Sequence, residues 1–259
     1  MLRKLTDLKG FAVVGKSEDL GQVSDFYFDQ QHFVLRYLVV DTGSWLQEEK
    51  TLLSTAAFTK IDFANSEIRV DLTKADLEAG PALEKNKPVS KEMEEKMAQH
   101  FDWPLYWTMP ANGPAIQAGT ILRRKLFNFN DFDQSTRATS NSQTIESNLR
   151  SFTEVHKYHI QAQDKEFGHL ADLFVDEESW LIRYLLIDTR NILPGKDVLI
   201  APEWIQNISW NQKKIFVSKT KAEIKAAPPY QEQSAKNLVE RSYEKELYEH
   251  YNEEKYWLR

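Results

Sequence analysis

Short runs of apolar residues, separated by turn-forming residues, dominate roughly the first 70 positions of the chain. The runs cover residues 11–14, 23–28, 33–40, 51–53, 59–63 and 68–70, and they are rich in Val, Ile, Leu, Phe and Tyr. Runs of this length, without a helical period between them, predict about six short strands. The spacing is typical of a small antiparallel barrel or sandwich and differs from the alternation of strands and helices in βαβ folds.

Helix signals follow the strand patterns. Thr73 and Ser90 are good N-cap residues, and Gly80-Pro81 stops the first of the two predicted helices. The second helix is predicted over residues 90–100, and a similar pattern recurs over 242–250. Each of these longer helices is followed by an aromatic tail, FDWPLYW at residues 101–107 and YNEEKYW at 251–257.

The pattern occurs twice. The stretch from Leu2 to Lys74 is repeated from Leu149 to Lys221 without a gap, and after three extra residues in the second copy Trp107 aligns with Trp257. A repeat of this length is a duplicated folded unit. In the best-matched stretch the identical pairs are Gly21/Gly168, Asp25/Asp172, Asp29/Asp176, Arg36/Arg183, Tyr37/Tyr184, Leu38/Leu185, Asp41/Asp188 and Thr42/Thr189.

The repeat predicts a mainly β protein with two small antiparallel β-barrels, each with a short helical appendage and an aromatic tail. We place the first domain at residues 1–110, a linker at 111–148 and the second domain at 149–259. Residues 131–148 are almost all polar, which predicts a flexible linker. The basic triplet at 123–125 is interpreted as a solvated turn or strand edge, with a docking patch for an acidic partner as the alternative.

Composition narrows the functional classes. The 259 residues contain no cysteine, which excludes disulfides and thiol chemistry. No secretory signal is predicted at the N-terminus, and no apolar run approaches the ~18 residues of a membrane span, so we expect a cytoplasmic protein. With 33 basic against 39 acidic residues the net charge is −6, and we do not expect nucleic-acid binding.

An arginine–tyrosine pair with a downstream aspartate marks the same strand in both copies: Arg36, Tyr37 and Asp41, and Arg183, Tyr184 and Asp188. Alternation along a strand predicts that the arginine and the tyrosine point to opposite faces. Asp25 and Asp172, on the preceding strands, are expected to pair with the arginines across the sheet. Either the pairs fix the strand register, or the arginine guanidinium groups bind a carboxylate of a partner.

The aromatic tails have two interpretations. Each tail packs back over its barrel and closes an open end, or it forms an exposed aromatic patch at a protein interface, where Trp and Tyr are enriched. Trp107 and Trp257 are therefore candidate interaction residues, together with the arginine, tyrosine and aspartate pairs.

Catalysis is not expected. Asp29 and Asp41 are predicted to lie in a turn and at a strand end, where carboxylates bond to local backbone. His156 and His159 fall on a predicted strand and would face opposite ways, which disfavours a shared metal. Since no glycine-rich phosphate loop is present, we expect no cofactor and no metal.

The segments LRKLTDL, LGQVSDFYFD, VLRYLVVDTGSWL and KTLLS, and in the second copy LRSFTEV, FGHLADLFVD and LIRYLLIDTRNILPGKDVLIAP, resemble bacterial proteins with tandem PRC-barrel domains. The resemblance implies a barrel of about six strands. The family includes the cytoplasmic domain of the photosynthetic reaction-centre H subunit and the C-terminal domain of a ribosome maturation factor. Those members are docking and assembly modules. Relatives often carry Asp-Gly at the first turn, where this chain has Ser17-Glu18 and Lys165-Glu166.

We therefore expect a non-catalytic scaffold or adaptor that binds a protein partner. A component of a membrane-associated complex is one candidate, and a homo-oligomer would form if a barrel edge or tail pairs with itself. The alternative is a small-ligand-binding protein or enzyme with a site in the cleft between the barrels. Such a site would use residues that are not repeated in both copies. The best candidates are residues 191–195, which differ from residues 43–47.

Overall fold

The computed structural model describes residues 1–43, 45–46, 50–83, 89–107, 148–189, 196–231 and 239–258. The protein is mainly β and divides into two compact units. The N-terminal unit is Leu8–Phe152, and the C-terminal unit combines Met1–Asp7 with Thr153–Arg259. The predicted linker, including its basic triplet, lies outside the described residues except for Asn148, and so do 191–195.

Within the described residues, each unit contains one seven-stranded sheet. In the N-terminal unit the strand order is β5-β4-β3-β2-β7-β6, and β8 pairs with β3. In the C-terminal unit the order is β12-β11-β10-β9-β14-β13, and β1 pairs with β10. The strands are β1 (Leu2–Lys4), β2 (Ala12–Val14), β3 (Asp19–Asp29), β4 (Val34–Asp41), β5 (Lys50–Ser54), β6 (Phe58–Asp62), β7 (Glu67–Val70), β8 (Leu149–Ser151), β9 (His159–Gln161), β10 (Glu166–Asp176), β11 (Ile182–Asp188), β12 (Asp197–Ile200), β13 (Ile205–Ser209) and β14 (Lys214–Val217).

The strand order of the second sheet repeats that of the first, as the duplication predicts. The expectation of purely antiparallel sheets is wrong in one respect, because β2 pairs with β7 and β9 pairs with β14 in parallel. Hydrophobic pattern reports which residues are buried in a strand and carries no signal for strand direction. A parallel pair needs a long crossover connection, and here the intervening strands of the same sheet provide it.

β1 and β8 were not anticipated. β1 comes from the first repeat but pairs with β10 of the second, and β8 comes from the second repeat but pairs with β3 of the first. Leu2 lies opposite Asp176, and the equivalent Leu149 lies opposite Asp29. Each sheet is therefore completed by a strand from the other repeat.

The two helices that follow the first sheet begin where their predicted caps lie. The Thr73 hydroxyl accepts a hydrogen bond from the N–H of Asp76, whose carboxylate accepts one from Thr73 in return, and Ser90 caps the next helix. The helices of the two repeats are α1 (Lys74–Glu78), α2 (Lys91–Phe101), α3 (Phe152–Val155), α4 (Lys221–Ala226) and α5 (Arg241–His250).

The helical appendage covers one face of the N-terminal sheet. Met97 of α2 is buried in the same core cluster as Val39 and Leu52 of the sheet, and the partly buried Met93 packs against that cluster. Burying a side chain such as Met97 contributes about 1.5–3 kcal/mol. The predicted apolar face of this helix is therefore the face that holds it on the sheet, and it fixes where the following tail begins.

The repeated glycines Gly21 and Gly168 mark a close backbone approach. Both have positive φ, at 129° and 69°. A Cβ at either position would lie far inside van der Waals contact with the carbonyl oxygen of Asp41 or Asp188. Glycine is required there because a side chain would collide with the backbone at the end of the paired strand, β4 or β11.

Candidate functional site

The repeated arginines each sit at a β-bulge. Where β3 pairs with β4, consecutive partners on β4 step from Tyr37 to Leu35 and skip Arg36. The equivalent step between β10 and β11 skips Arg183. A bulge changes the direction of the side chains around it, so the simple alternation expected for Arg36 and Tyr37 does not hold. Both side chains reach the same group of residues.

That group is centred on a buried glutamate of α2. Glu94 is 2% exposed, and its Oε2 accepts hydrogen bonds from the Tyr37 hydroxyl at 3.2 Å and the Tyr106 hydroxyl at 2.9 Å. The Arg36 guanidinium lies over the Tyr106 ring, 3.9 Å from its centroid. We call these four residues the N-terminal cluster. It connects the sheet, the helix and the start of the tail.

The second repeat contains the same arrangement, the C-terminal cluster. Oε1 of Glu244 accepts hydrogen bonds from Tyr184 at 2.8 Å and Tyr256 at 2.9 Å. Arg183 lies over the Tyr256 ring at 4.4 Å. Arg241 adds an ion pair, with its Nη1 2.8 Å from the other Glu244 oxygen. The two clusters are equivalent residue for residue, which shows that the duplication extends beyond the sheets.

The hydroxyls of both clusters are held protonated. Burial raises the pKa of Tyr37 and Tyr106, and the nearby Glu94 carboxylate raises both further. Burial raises the pKa of Tyr184, and it raises that of Tyr256 to about 12. Protonated phenols donate hydrogen bonds, so in each cluster the two tyrosines are the donors and the glutamate oxygen is the acceptor. This arrangement suits a structural role, in which each cluster holds the sheet, the helix and the tail together.

The expected pairing of the arginines with Asp25 and Asp172 is wrong. Arg36 Nη2 lies 3.4 Å from Asp29, at the end of β3. Asp25 instead accepts a hydrogen bond from Ser151, and Asp172 accepts one from Thr6. A bulge between Val23 and Asp25 places Asp25 opposite Val39, away from the arginine.

Asp29 is a buried carboxylate with several donors. It is 1% exposed, and His32 Nδ1 lies 2.5 Å from one of its oxygens. Burial on its own would raise the pKa of Asp29, but His32, Arg36 and the N–H of Gln31 hold it below the usual range. The equivalent Asp176 has Ser179 in the place of His32, and its pKa is also lowered despite burial.

Asp41 and Asp188 are not part of the clusters. Asp41 is exposed, and its Oδ1 accepts a hydrogen bond from the N–H of Gly43 at 2.9 Å, a local turn contact of the kind predicted. Asp188 is buried and lies 3.8 Å from Nε2 of His169. The two residues thus occupy strand ends of differing burial.

The last tryptophan of each tail is half-buried and lies beside a cation. Lys91 Nζ is 5.1 Å from the centroid of the Trp107 ring, and the Arg241 guanidinium is 4.3 Å from that of Trp257. Tyr106 and Tyr256 pack edge-on against these rings. We call these residues the tail faces: Lys91, Tyr106 and Trp107 in the N-terminal unit, and Arg241, Tyr256 and Trp257 in the C-terminal unit.

Among the residues of the clusters and tail faces, sequence reasoning identified the arginines of β4 and β11, their neighbouring tyrosines and the two tryptophans. It did not single out Tyr106, Tyr256, Glu94, Glu244, Lys91 or Arg241. Glu94 and Glu244 lie among other charged residues of their helices and look like surface positions. Their signal is the shared displacement of 150 positions, the same that aligns Trp107 with Trp257.

Among the described residues no group of three or more His, Cys, Asp or Glu side chains is placed to hold a metal ion. In the same parts of the chain, no helix combines the length and the apolar character that a membrane crossing needs.

Comparison with known proteins adds one result. No curated protein matches the chain. The matched segment of the family comparison begins with β1 and ends within α1, so it covers the strands and the first helix of one repeat. Over residues 2–77 the chain matches the model of the PRC-barrel domain.

Proposed function

We propose that this chain is a non-catalytic assembly protein that holds a protein partner on its tail faces. The supporting observation is that each repeat ends in a half-buried tryptophan covered by a cation. Trp, Tyr and Arg are the residue types that most often dominate binding at protein interfaces. A duplicated surface of this composition offers a partner two equivalent points of attachment.

The clusters hold these faces rigidly. Tyr106 and Tyr256 belong to both a cluster and a tail face, so the buried glutamates anchor the residues next to Trp107 and Trp257. A preorganised aromatic side chain loses little conformational entropy on binding, which favours affinity. The clusters therefore have a supporting role, and contact with the partner falls to the tryptophans and cations.

The chemistry of the tail faces points to a partner segment with apolar and acidic side chains. The Arg241 side chain is 56% exposed although it lies over Trp257 and forms an ion pair with Glu244, so part of it stays accessible to a partner. A cation over an aromatic ring keeps its charge available at the edge of an apolar surface. An acidic residue flanked by apolar residues would use both features together.

We also propose that the second repeat is a second PRC-barrel domain and that each sheet curls into a small barrel. The two sheets share one strand order. β5 and β6 are at opposite ends of that order in the N-terminal unit, yet only the three-residue 3-10 helix Thr55–Ala57 connects them. Such a short connection requires the two ends of the sheet to approach each other.

The test is affinity capture of the tagged full-length protein from its own cells, followed by mass spectrometry. Trp107→Ala and Trp257→Ala, singly and together, should lose specific proteins that the unmodified chain retains. Trp45→Ala and Trp210→Ala are matched controls, because both tryptophans are half-buried and lie outside the tail faces. Trp45 even has its own cation, since Lys74 lies 5.1 Å from its ring centroid.

Equal capture by the tail variants and the controls would contradict the proposal, and so would the absence of any specifically retained protein. All five variants should keep thermal midpoints close to that of the unmodified chain, which shows that loss of capture is not loss of folding. Reproducible turnover by the purified protein, abolished in Asp41→Asn or Asp188→Asn, would also overturn the non-catalytic assignment.

A further inference from the structure

The exchange of β1 and β8 between the repeats is reciprocal in register. Arg3 lies opposite Val175, and the equivalent Arg150 lies opposite Phe28, which is the position equivalent to Val175. Both pairings are antiparallel. Each repeat thus contributes a three-residue strand to the sheet of the other repeat, and part of its own long strand, β3 or β10, is paired by a strand from the other repeat.

Side chains reinforce the pairing of β1. The Arg3 guanidinium forms an ion pair with Glu177, and the two side chains are 17% and 21% exposed. The carbonyl of Met1 accepts a hydrogen bond from the N–H of Glu177 at 2.9 Å. Thr6 donates its hydroxyl to the Asp172 carboxylate, and Leu5 is fully buried.

The β8 segment is held in an equivalent way. Ser151 donates its hydroxyl to Asp25, and Phe152 packs against Phe26 with ring centroids 6.2 Å apart. Just before the strand, the carbonyl of Asn148 accepts a hydrogen bond from the N–H of Gln30 at 3.0 Å. All these contacts join the first repeat to the second, so the same contacts can form between the first repeat of one copy and the second repeat of another.

The connection between the repeats is long enough for either arrangement. Residues 108–147, a stretch of 40, separate Trp107 from Asn148. Fully extended, such a chain spans roughly 130 Å, about ten times the ~13 Å radius of gyration of a 100-residue domain. Its length therefore does not restrict the first repeat to the second repeat of the same chain.

We propose that the partner which fits the edges of β3 and β10 is a second copy of this chain, bound by exchange of repeats. In the exchanged dimer, β1 of each copy lies on β10 of the other, and β8 of each copy lies on β3 of the other. The dimer keeps every contact described above and buries no new edge. Within one chain the connection gives a high effective concentration, so the monomer prevails in dilute solution and the dimer at high concentration.

Charge complementation tests the exchange in the full-length chain. Arg3→Glu and Glu177→Arg each place like charges at the partly buried ion pair of a monomer. An exchanged dimer of the two variants has two such sites. At one site the glutamate introduced at position 3 of one chain pairs with the arginine introduced at position 177 of the other. At the second site the original Arg3–Glu177 pair is kept. Refolding the two variants together should give a one-to-one dimer of twice 30.2 kDa, measured by size exclusion with light scattering and by native mass spectrometry.

The double variant Arg3→Glu/Glu177→Arg is the control, because the reversed pair is restored within one chain and a monomer is expected. A mixture that remains at the monomer mass, alongside a folded monomeric double variant, would overturn the proposal.

A disulfide trap gives a second measurement that leaves β1 and its ion pair intact. Nδ2 of Asn148 donates to Oε1 of Gln31 at 3.0 Å, both residues are exposed, and the chain has no cysteine. Gln31→Cys and Asn148→Cys chains, mixed at high concentration and oxidised, should form a disulfide-linked pair identified by peptide mapping. With both cysteines in one dilute chain the disulfide should form within the monomer. If this control links and the mixture gives no 31–148 cross-link, exchange between copies does not occur.

Discussion

Asp172 links the stability of the protein to pH. Its side chain is buried, with 4% of the residue exposed, and it accepts hydrogen bonds from the N–H of Leu173 at 2.7 Å and from Thr6. Burial raises the pKa of Asp172 from 3.8 to about 6, although these donors and the charge of Lys4 act in the opposite direction. A carboxyl with this pKa carries a proton in the folded state at pH values where the unfolded chain has lost it.

The sign of the effect follows from this difference. Between pH 3.8 and about 6 the folded state binds more protons at Asp172 than the unfolded state does. The contribution of Asp172 to the free energy of unfolding is therefore fully present below pH 3.8 and is lost as the pH rises through about 6. The difference between the two pKa values corresponds to about 3 kcal/mol.

Asp172→Asn isolates this contribution, because asparagine does not ionise in this range. Urea unfolding of both proteins at pH 4 and pH 7 gives the free-energy difference between variant and unmodified chain at each pH. Going from pH 4 to pH 7, that difference should shift in favour of the variant by up to about 3 kcal/mol. The cost of altered hydrogen bonds is common to both pH values and cancels.

Thr6→Val serves as the companion variant. It removes a donor that lowers the pKa of Asp172, so the loss of stability should move to higher pH. A difference between Asp172→Asn and the unmodified chain that is the same at both pH values, or that shifts in favour of the unmodified chain, would refute the reasoning.

Two further predictions concern the repeated positions. Arg36→Met should lower the thermal midpoint by several degrees, because breaking a buried ion pair costs about 3 kcal/mol. Arg69→Met is the control and should change the midpoint little, because 51% of the Arg69 side chain is exposed in its ion pair. Equal midpoints for the two variants would contradict a structural role for Arg36. Gly21→Ala and Gly168→Ala should each destabilise the protein by more than Gly43→Ala does. A Cβ at Gly43 would meet nothing within 4 Å, so that variant has only the cost of its positive φ, about 1–2 kcal/mol. Chemical denaturation compares the three variants, and a Gly43 variant as unstable as the other two would show that backbone strain alone explains the need for glycine.

Local signals in the sequence predicted most strands and helices. Runs of β-prone residues ended at turn residues, and the caps Thr73 and Ser90 are at the start of their helices. The duplication then predicted the second sheet from the first. These predictions depend on neighbours in sequence, for which single-residue preferences carry information.

The features that escaped prediction depend on distant contacts. β1 has three residues, too few for a periodic pattern, and its partner strand is in the other repeat. Bulges moved Arg36 away from Asp25, and sequence gives no measure of register shifts within a strand. The displacement of 150 positions pairs Glu94 with Glu244 but does not show that Glu94 is buried. Its role depends on two tyrosine donors, which come from a strand and a tail on either side of it in the chain.

The reciprocal pairing of β1 and β8 has a consequence for biosynthesis. β1 leaves the ribosome well before β10, yet Arg3 bonds to Glu177, 174 positions later. At about 5–20 residues per second, β10 follows β1 by roughly 10–30 s. Leu2 and Leu5, both buried in the finished protein, have no sheet to join during that time.

The sheet of the first repeat is also incomplete at this stage, because part of β3 has no partner strand until residues 149–151, which form β8, have been made. Neither sheet is complete on the first repeat alone, so β1 is made before its partner strand and is among the last segments to be buried. Translation thus leaves a nascent chain in which β1 is unpaired and a strand edge is open, the kind of species that ribosome-bound chaperones shield.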